Sequence, residues 1–73
     1  GDASIREFLI KGKNGKTDKK LKDLNVPDNT LLAMINRDGE SLFPDNESVL
    51  QAGDHVLVFT LKNQLPEVEN FFQ

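Results

Sequence analysis

A small α+β domain is the fold class this sequence predicts, with elements in the order β-α-β-β-β-α, a mainly antiparallel sheet, and assembly as a dimer. Three observations carry the prediction. Asp38-Gly39 lies between apolar stretches and supplies the positive φ angles of a two-residue hairpin turn. The stretch 55–61, HVLVFTL, is short, apolar and β-branched, as a buried strand requires. At the end of the chain, Leu65, Val68 and Phe72 fall at helical spacing behind Pro66.

The elements follow in order. Residues 4–10, SIREFLI, read as a first strand with Arg6, Phe8 and Ile10 on one face and Ile5, Glu7 and Leu9 on the other. Residues 11–16, KGKNGK, form a basic, glycine-containing loop. A short helix is expected over Asp18–Leu24, with Thr17 as N-cap and Leu21 and Leu24 on one face, stopped by Asn25 and Pro27. Residues 27–29 are a turn, and 30–36, TLLAMIN, are a nearly continuous apolar strand. Through Asp38-Gly39 the stretch 30–37 pairs with 40–43 as an antiparallel hairpin. PDNES at 44–48 is a turn, Val49-Leu50 an apolar patch under a loop, and AGD at 52–54 a further turn before the 55–61 strand. Glu67 and Glu69 favour the positive N-terminus of the last helix. Residues 1–3 read as a linker ahead of a domain spanning 4–73.

Composition narrows the function classes. With 73 residues there is room for one domain with a thin core. The chain has no cysteine, so neither a disulfide frame nor a thiolate metal site stabilises it. Its formal net charge of −3 argues against binding a nucleic-acid polymer, which needs a basic face. No apolar run approaches the roughly 20 residues of a membrane span, and no basic-then-apolar leader is visible.

The sequence carries few residues in patterns that do chemistry. His55 is the single histidine and sits at a strand end beside Asp54, so it reads as a water-facing residue rather than a general base. Ser4, Ser41 and Ser48 lie in no nucleophile-elbow pattern. Asp45, Asn46 and Glu47 lack the alternating ligand spacing and central glycine of a calcium loop. GKNGKT at 12–17 has two residues between its glycines where a phosphate-binding P-loop has four. There is no GxGxxG fingerprint. The expectation is therefore no enzyme, no metal and no required cofactor.

Packing adds one expectation. Two strands apolar on both faces need two covers, and the two short helices supply one of them. A second copy of the chain is the natural second cover in so small a domain; the other arrangement places the helices on opposite faces of a monomer.

The ordered set of Leu21 and Leu24, Arg37-Asp38-Gly39, Pro44, Ser48-Val49-Leu50, Gly53-Asp54 and Val56-Leu57-Val58-Phe59 resembles the C-terminal (TrkA-C, or RCK-C) domain of regulators of potassium conductance. The match runs over 18–59, and LPEVENFF is similar to the tail of some Trk-type regulators. Asp18 departs from the glycine that many members carry before the Leu-x-x-Leu segment. The resemblance implies a non-catalytic, cytoplasmic regulatory module of a potassium or other cation channel, transporter or antiporter. It implies a homodimer that meets the membrane only through its parent protein. In a subset of members, cyclic di-AMP binds as a regulatory ligand in a cleft at the two-fold interface.

Carried over by matching segment, that cleft draws on Ile35, Asn36, Arg37, Leu42, Phe43 and Pro44. Leu42 and Phe43 offer apolar faces to a base, Arg37 charge-assisted bonds to phosphate, Asn36 a donor–acceptor edge, and Pro44 a rigid wall. The same residues also suit a constitutive dimerisation domain without a ligand. In that reading Leu42 and Phe43 fill a core or seam, and Arg37 and Glu40 form a cross-strand charge pair.

Overall fold

The computed structural model describes residues 2–12 and 15–73. Gly1 of the expected linker, and Lys13 and Asn14 of the basic loop, lie outside the described residues. Four strands, β1 (Ala3–Leu9), β2 (Thr30–Arg37), β3 (Glu40–Leu42) and β4 (His55–Leu61), form one sheet in the order β1-β4-β2-β3. All three pairings are antiparallel. A helix, α1 (Leu65–Phe72), follows β4 after a 3₁₀ turn at Lys62–Gln64. The two most apolar strands, β2 and β4, take the central positions, as their sequences require.

The hairpin forms as the sequence predicts. Arg37 pairs with Glu40 across Asp38 (φ 52°) and Gly39 (φ 81°), both in the left-handed region. The expected helix over Asp18–Leu24 does not form; a single 3₁₀ turn at Leu21–Asp23 stands in its place. Lys20 and Leu24 on either side of it are extended, and Thr17 caps nothing there. The cause is competition for backbone partners. The Leu21 amide donates to the Ser48 carbonyl (2.8 Å) and the Lys22 amide to that of Asn46 (3.1 Å). Lys20 forms an isolated bridge to Val49. Lys20 and Lys22 clasp the exposed Glu47 carboxylate at 2.8 and 3.1 Å, which holds that carboxyl below its usual pKa range. The segment is thus bound to the 45–49 turn before a second helical turn can propagate.

One face of the sheet carries the core. Val56 and Val58 of β4, Ile35 of β2, Ile10 and Leu50 pack with Val68 and Phe72 of α1, and all seven are buried. The Leu65/Val68/Phe72 stripe turns inward as its spacing predicts, with Leu65 half-buried. Phe72 stacks on Phe8 (centroids 4.9 Å apart), Phe71 meets Phe72 edge-on, and Lys16 lies 4.2 Å over the Phe71 ring.

A β-bulge sets which residues of β2 reach this core. Leu32 pairs with Val58 and Met34 with Leu57, so Ala33 is an extra residue between them. Upstream of the bulge Leu32 faces the core and Leu31 the other side. Downstream, Ile35 and Arg37 face the core, and Met34 and Asn36 do not. Without the bulge the alternation begun at Leu31 and Leu32 would put Ile35 on the solvent face.

The β2–β4 region is locked by an ion pair. Asp54 is only 1% exposed. Arg37 grips it with a two-pronged contact, Nε to Oδ1 and Nη2 to Oδ2, both 2.9 Å. The Gln51 amide donates to Oδ2 (2.8 Å), and Arg37 Nη2 also reaches the Val49 carbonyl (3.1 Å). Through its backbone, Asp54 accepts from the Ile10 amide at 2.8 Å. Burial pushes the Asp54 carboxyl up, but the bonds from Arg37 and Gln51 and the charge of Arg37 outweigh it and hold the pKa below its usual value. Arg37 is raised in turn, first by its bond to Asp54.

Three outcomes follow from this geometry. Asp54→Asn leaves Arg37 without its counter-charge and lowers stability by about 3 kcal/mol, toward the lower end for a broken buried pair because Arg37 keeps some water contact. Urea unfolding measures it. Because the folded Asp54 pKa is depressed, its contribution is complete above the unfolded value of about 3.9 and fades as pH falls through the lower folded value. The stability gap between the parent chain and Asp54→Asn should therefore narrow in acid and stay constant from about pH 5 to 8. A Cβ built on Gly39 meets nothing within 4 Å, so Gly39→Ala should lower stability by about 1 kcal/mol through backbone conformation alone.

Candidate functional site

The six residues expected to line a cleft do not converge on one surface. Ile35 is in the core. Arg37 is engaged with Asp54 and the Val49 carbonyl. Leu42 pairs with Ile35 and packs against the core cluster. Asn36 pairs with His55 on the opposite side of the sheet. Phe43 is 79% exposed just beyond the end of β3, and Pro44 is half-buried.

Pro44 belongs to a groove of about 410 Å³ between the Leu21–Asp23 turn and β2. Its apolar floor comes from Leu21, Leu24, Val26, Leu31, Leu32 and Pro44. Asn25, Thr30, Asp45 and Asn46 form its polar rim. The groove exists because the 18–24 segment forms only the single 3₁₀ turn at Leu21–Asp23 instead of a full helix and is bonded to the turn that follows Pro44. Asp45 and Ser48 hold that turn: the Asp45 amide donates to Ser48 Oγ and the Glu47 amide to Asp45 Oδ1, each at 2.9 Å. Chemically, an apolar floor beside carboxamides suits a heterocycle with donors and acceptors on its edge. Among the described residues, no lysine or arginine lines it. Lys20 and Lys22, beside it in the chain, are paired with Glu47.

Asn36 belongs instead to a shallow polar cleft with Glu7, Asp38, Gly39, Gly53 and His55. His55 is exposed, and its Nδ1 lies 3.8 Å from Glu7 Oε1. That placement agrees with a water-facing strand-end histidine. Among the described residues, no group of three or more His, Cys, Asp or Glu side chains is placed to hold a metal ion.

The groove and the cleft adjoin the side of the sheet away from α1. There Ile5 pairs with Phe59 and Glu7 with Leu57, while Leu31 and Met34 flank the same β4 residues from β2. Leu31 is 60% exposed and Ile5 56%, and Leu9, Phe59 and Leu61 are exposed too. Of the two covers expected for the central strands, the chain supplies one. The groove was not readable from sequence, where its only signal is the Leu21/Leu24 pair; the open face is signalled by the apolar residues on both faces of 30–36 and 55–61.

Comparison with known proteins places this arrangement. The family model of the TrkA-C domain matches residues 15–73. Two curated proteins of Methanosarcina mazei, Trk system potassium uptake protein TrkA homolog 2 and homolog 1, are 27% and 28% identical over 71 residues. Those matches cover 97% of this chain but 16% of each relative, so the chain spans about one-sixth of their length. Among solved structures, an RCK domain described with cda superimposes with a TM-score of 0.83 at 20% identity, over 96% of this chain and 99% of that one. The fold is that of an RCK domain, and, with the family model matched over most of its length, the chain belongs to the TrkA-C domain family.

Proposed function

We propose that this TrkA-C domain is a non-catalytic, ligand-sensing regulatory module of a potassium uptake protein. It works as a homodimer on the cytosolic side of the membrane and reaches the membrane only through its parent. Cyclic di-AMP is the proposed regulatory ligand. The observation that carries the reading is the groove between the Leu21–Asp23 turn and β2, with its apolar floor and carboxamide rim. Its volume falls in the lower part of the roughly 300–1,000 Å³ span of small-molecule sites. The potassium uptake names of the two curated relatives, and the RCK domain described with cda, point the same way. In this reading the base lies on Leu24, Val26 and Pro44, and Asn25 reads its edge. Ligand then acts on transport only as far as it binds one arrangement of the dimer more tightly than another.

A second reading rests on a specific observation. Arg37, the cation expected to meet phosphate, is paired with Asp54, and among the described residues no lysine or arginine lines the groove. That favours a constitutive assembly domain without an anionic ligand. Calorimetric titration of the chain with cyclic di-AMP separates the two. The sensing reading expects saturable heat and a raised melting temperature, with Asn25→Ala weakening binding about five-fold, the worth of one hydrogen bond. Absence of heat and of thermal stabilisation at millimolar nucleotide rejects cyclic di-AMP and leaves the assembly reading.

A further inference from the structure

We propose that Lys20 and Lys22 are the phosphate-binding cations of the groove, and that Glu47 is an internal counter-ion which a ligand's phosphate displaces from them. The inference rests on the groove reading above and supplies the charged groups that reading lacks.

The three residues close one end of the groove. Lys20 and Lys22 stand on either side of Leu21, a floor residue, and Glu47 follows Asn46, a rim residue. The Lys22 amide donates to the Asn46 carbonyl at 3.1 Å, and the Leu21 amide to that of Ser48 at 2.8 Å. Lys20 also bridges to Val49 through the backbone. These main-chain bonds hold the two walls together without the side chains. A change of side-chain partner therefore leaves the shape of the groove in place.

The ammonium groups can accept a second anion. Lys20 Nζ lies 2.8 Å from Glu47 Oε1 and Lys22 Nζ 3.1 Å from Oε2. Each contact takes one of the three donors on an ammonium. All three side chains are about half-exposed, where an ion pair contributes little, so trading a carboxylate for a phosphate costs little. The four-carbon stem of lysine lets the charge follow its new partner. Arg37 lacks this freedom, because its partner Asp54 is buried.

Neighbouring carboxylates set a threshold for binding. Asp45 is close enough to Glu47 to repel it, and Asp23 adjoins Lys22 in the chain. Asp45 Oδ1 accepts from the Glu47 amide at 2.9 Å and from the Ser48 hydroxyl at 3.3 Å, which fixes this carboxylate on the turn. With Glu47 in place the cluster carries no net positive charge, so it draws a bare anion only weakly. A phosphate displaces Glu47 only when the rest of its molecule is held by the floor and by Asn25. The internal carboxylate thus selects a nucleotide over inorganic phosphate.

Calorimetric titration with cyclic di-AMP, adenosine and inorganic phosphate tests the assignment, with circular dichroism confirming the fold of each variant. Lys20→Ala and Lys22→Ala should each weaken cyclic di-AMP binding about five-fold, the upper end for a half-exposed ion contact. Lys22→Arg should restore it. Glu47→Gln should tighten binding by a similar factor of about five at low salt, and the gain should shrink at high salt. Adenosine, which has no phosphate, should bind the parent chain and all four variants equally, and inorganic phosphate should bind only Glu47→Gln measurably. A cluster that merely braces the 45–49 turn gives the opposite sign, with Glu47→Gln weakening every ligand, and that result overturns the proposal. Lysine variants that bind cyclic di-AMP like the parent, while Asn25→Ala weakens it, overturn the two cations and leave the groove reading standing. Absence of cyclic di-AMP binding in the parent chain and in Glu47→Gln overturns both.

Discussion

The contact between Arg37 and Asp54 is the constraint on which the rest of this domain depends. A carboxylate with almost no exposure is tolerable only when its oxygens are fully bonded, and here a fork of guanidinium donors and a backbone amide meet that demand. The partners come from distant parts of the chain: the end of β2, the 49–51 loop and the start of β4. Asp54 also receives the Ile10 amide, which joins the exit of β1 to the same point. In a chain of 73 residues with a small core, one polar tie of this kind does what additional apolar layers do in a larger domain.

The tie also bears on function. Arg37 spends its Nε and Nη2 donors on Asp54 and the Val49 carbonyl, so it has fewer donors to offer a phosphate than a free arginine. In the proposed sensing role, recognition would rest chiefly on shape and on the carboxamides at the groove rim. The Lys20–Glu47–Lys22 cluster sits beside it, but as a clasp holding the 3₁₀ turn to the 45–49 turn.

The groove and the open face of the sheet meet at Leu31, which lines the groove and pairs with Phe59 of β4. A ligand seated in the groove would therefore touch a residue that also belongs to the sheet's open face.

Much of the architecture could be read from residue patterns. The Asp38-Gly39 turn, the 55–61 strand and the Leu65/Val68/Phe72 stripe each follow from a local rule: positive φ at a hairpin, apolar β-branched runs, and helical spacing. The demand for a second cover was also legible, because residues on both faces of the central strands are apolar. Pairwise competition was not. The amides of Leu21 and Lys22 could form a helix or bond to the 46–48 turn, and only the folded arrangement brings that turn within reach. Nor was the extra residue at Ala33. Strand periodicity is two, so a one-residue bulge exchanges the faces of everything after it. That shift carried Ile35 and Arg37 inward and Asn36 outward, dispersing a set of residues that looks contiguous in the chain. Local propensity and spacing thus determined which elements exist and in what order. Tertiary structure decided which side of the sheet each residue serves, because register depends on the partner strand and not on the strand alone.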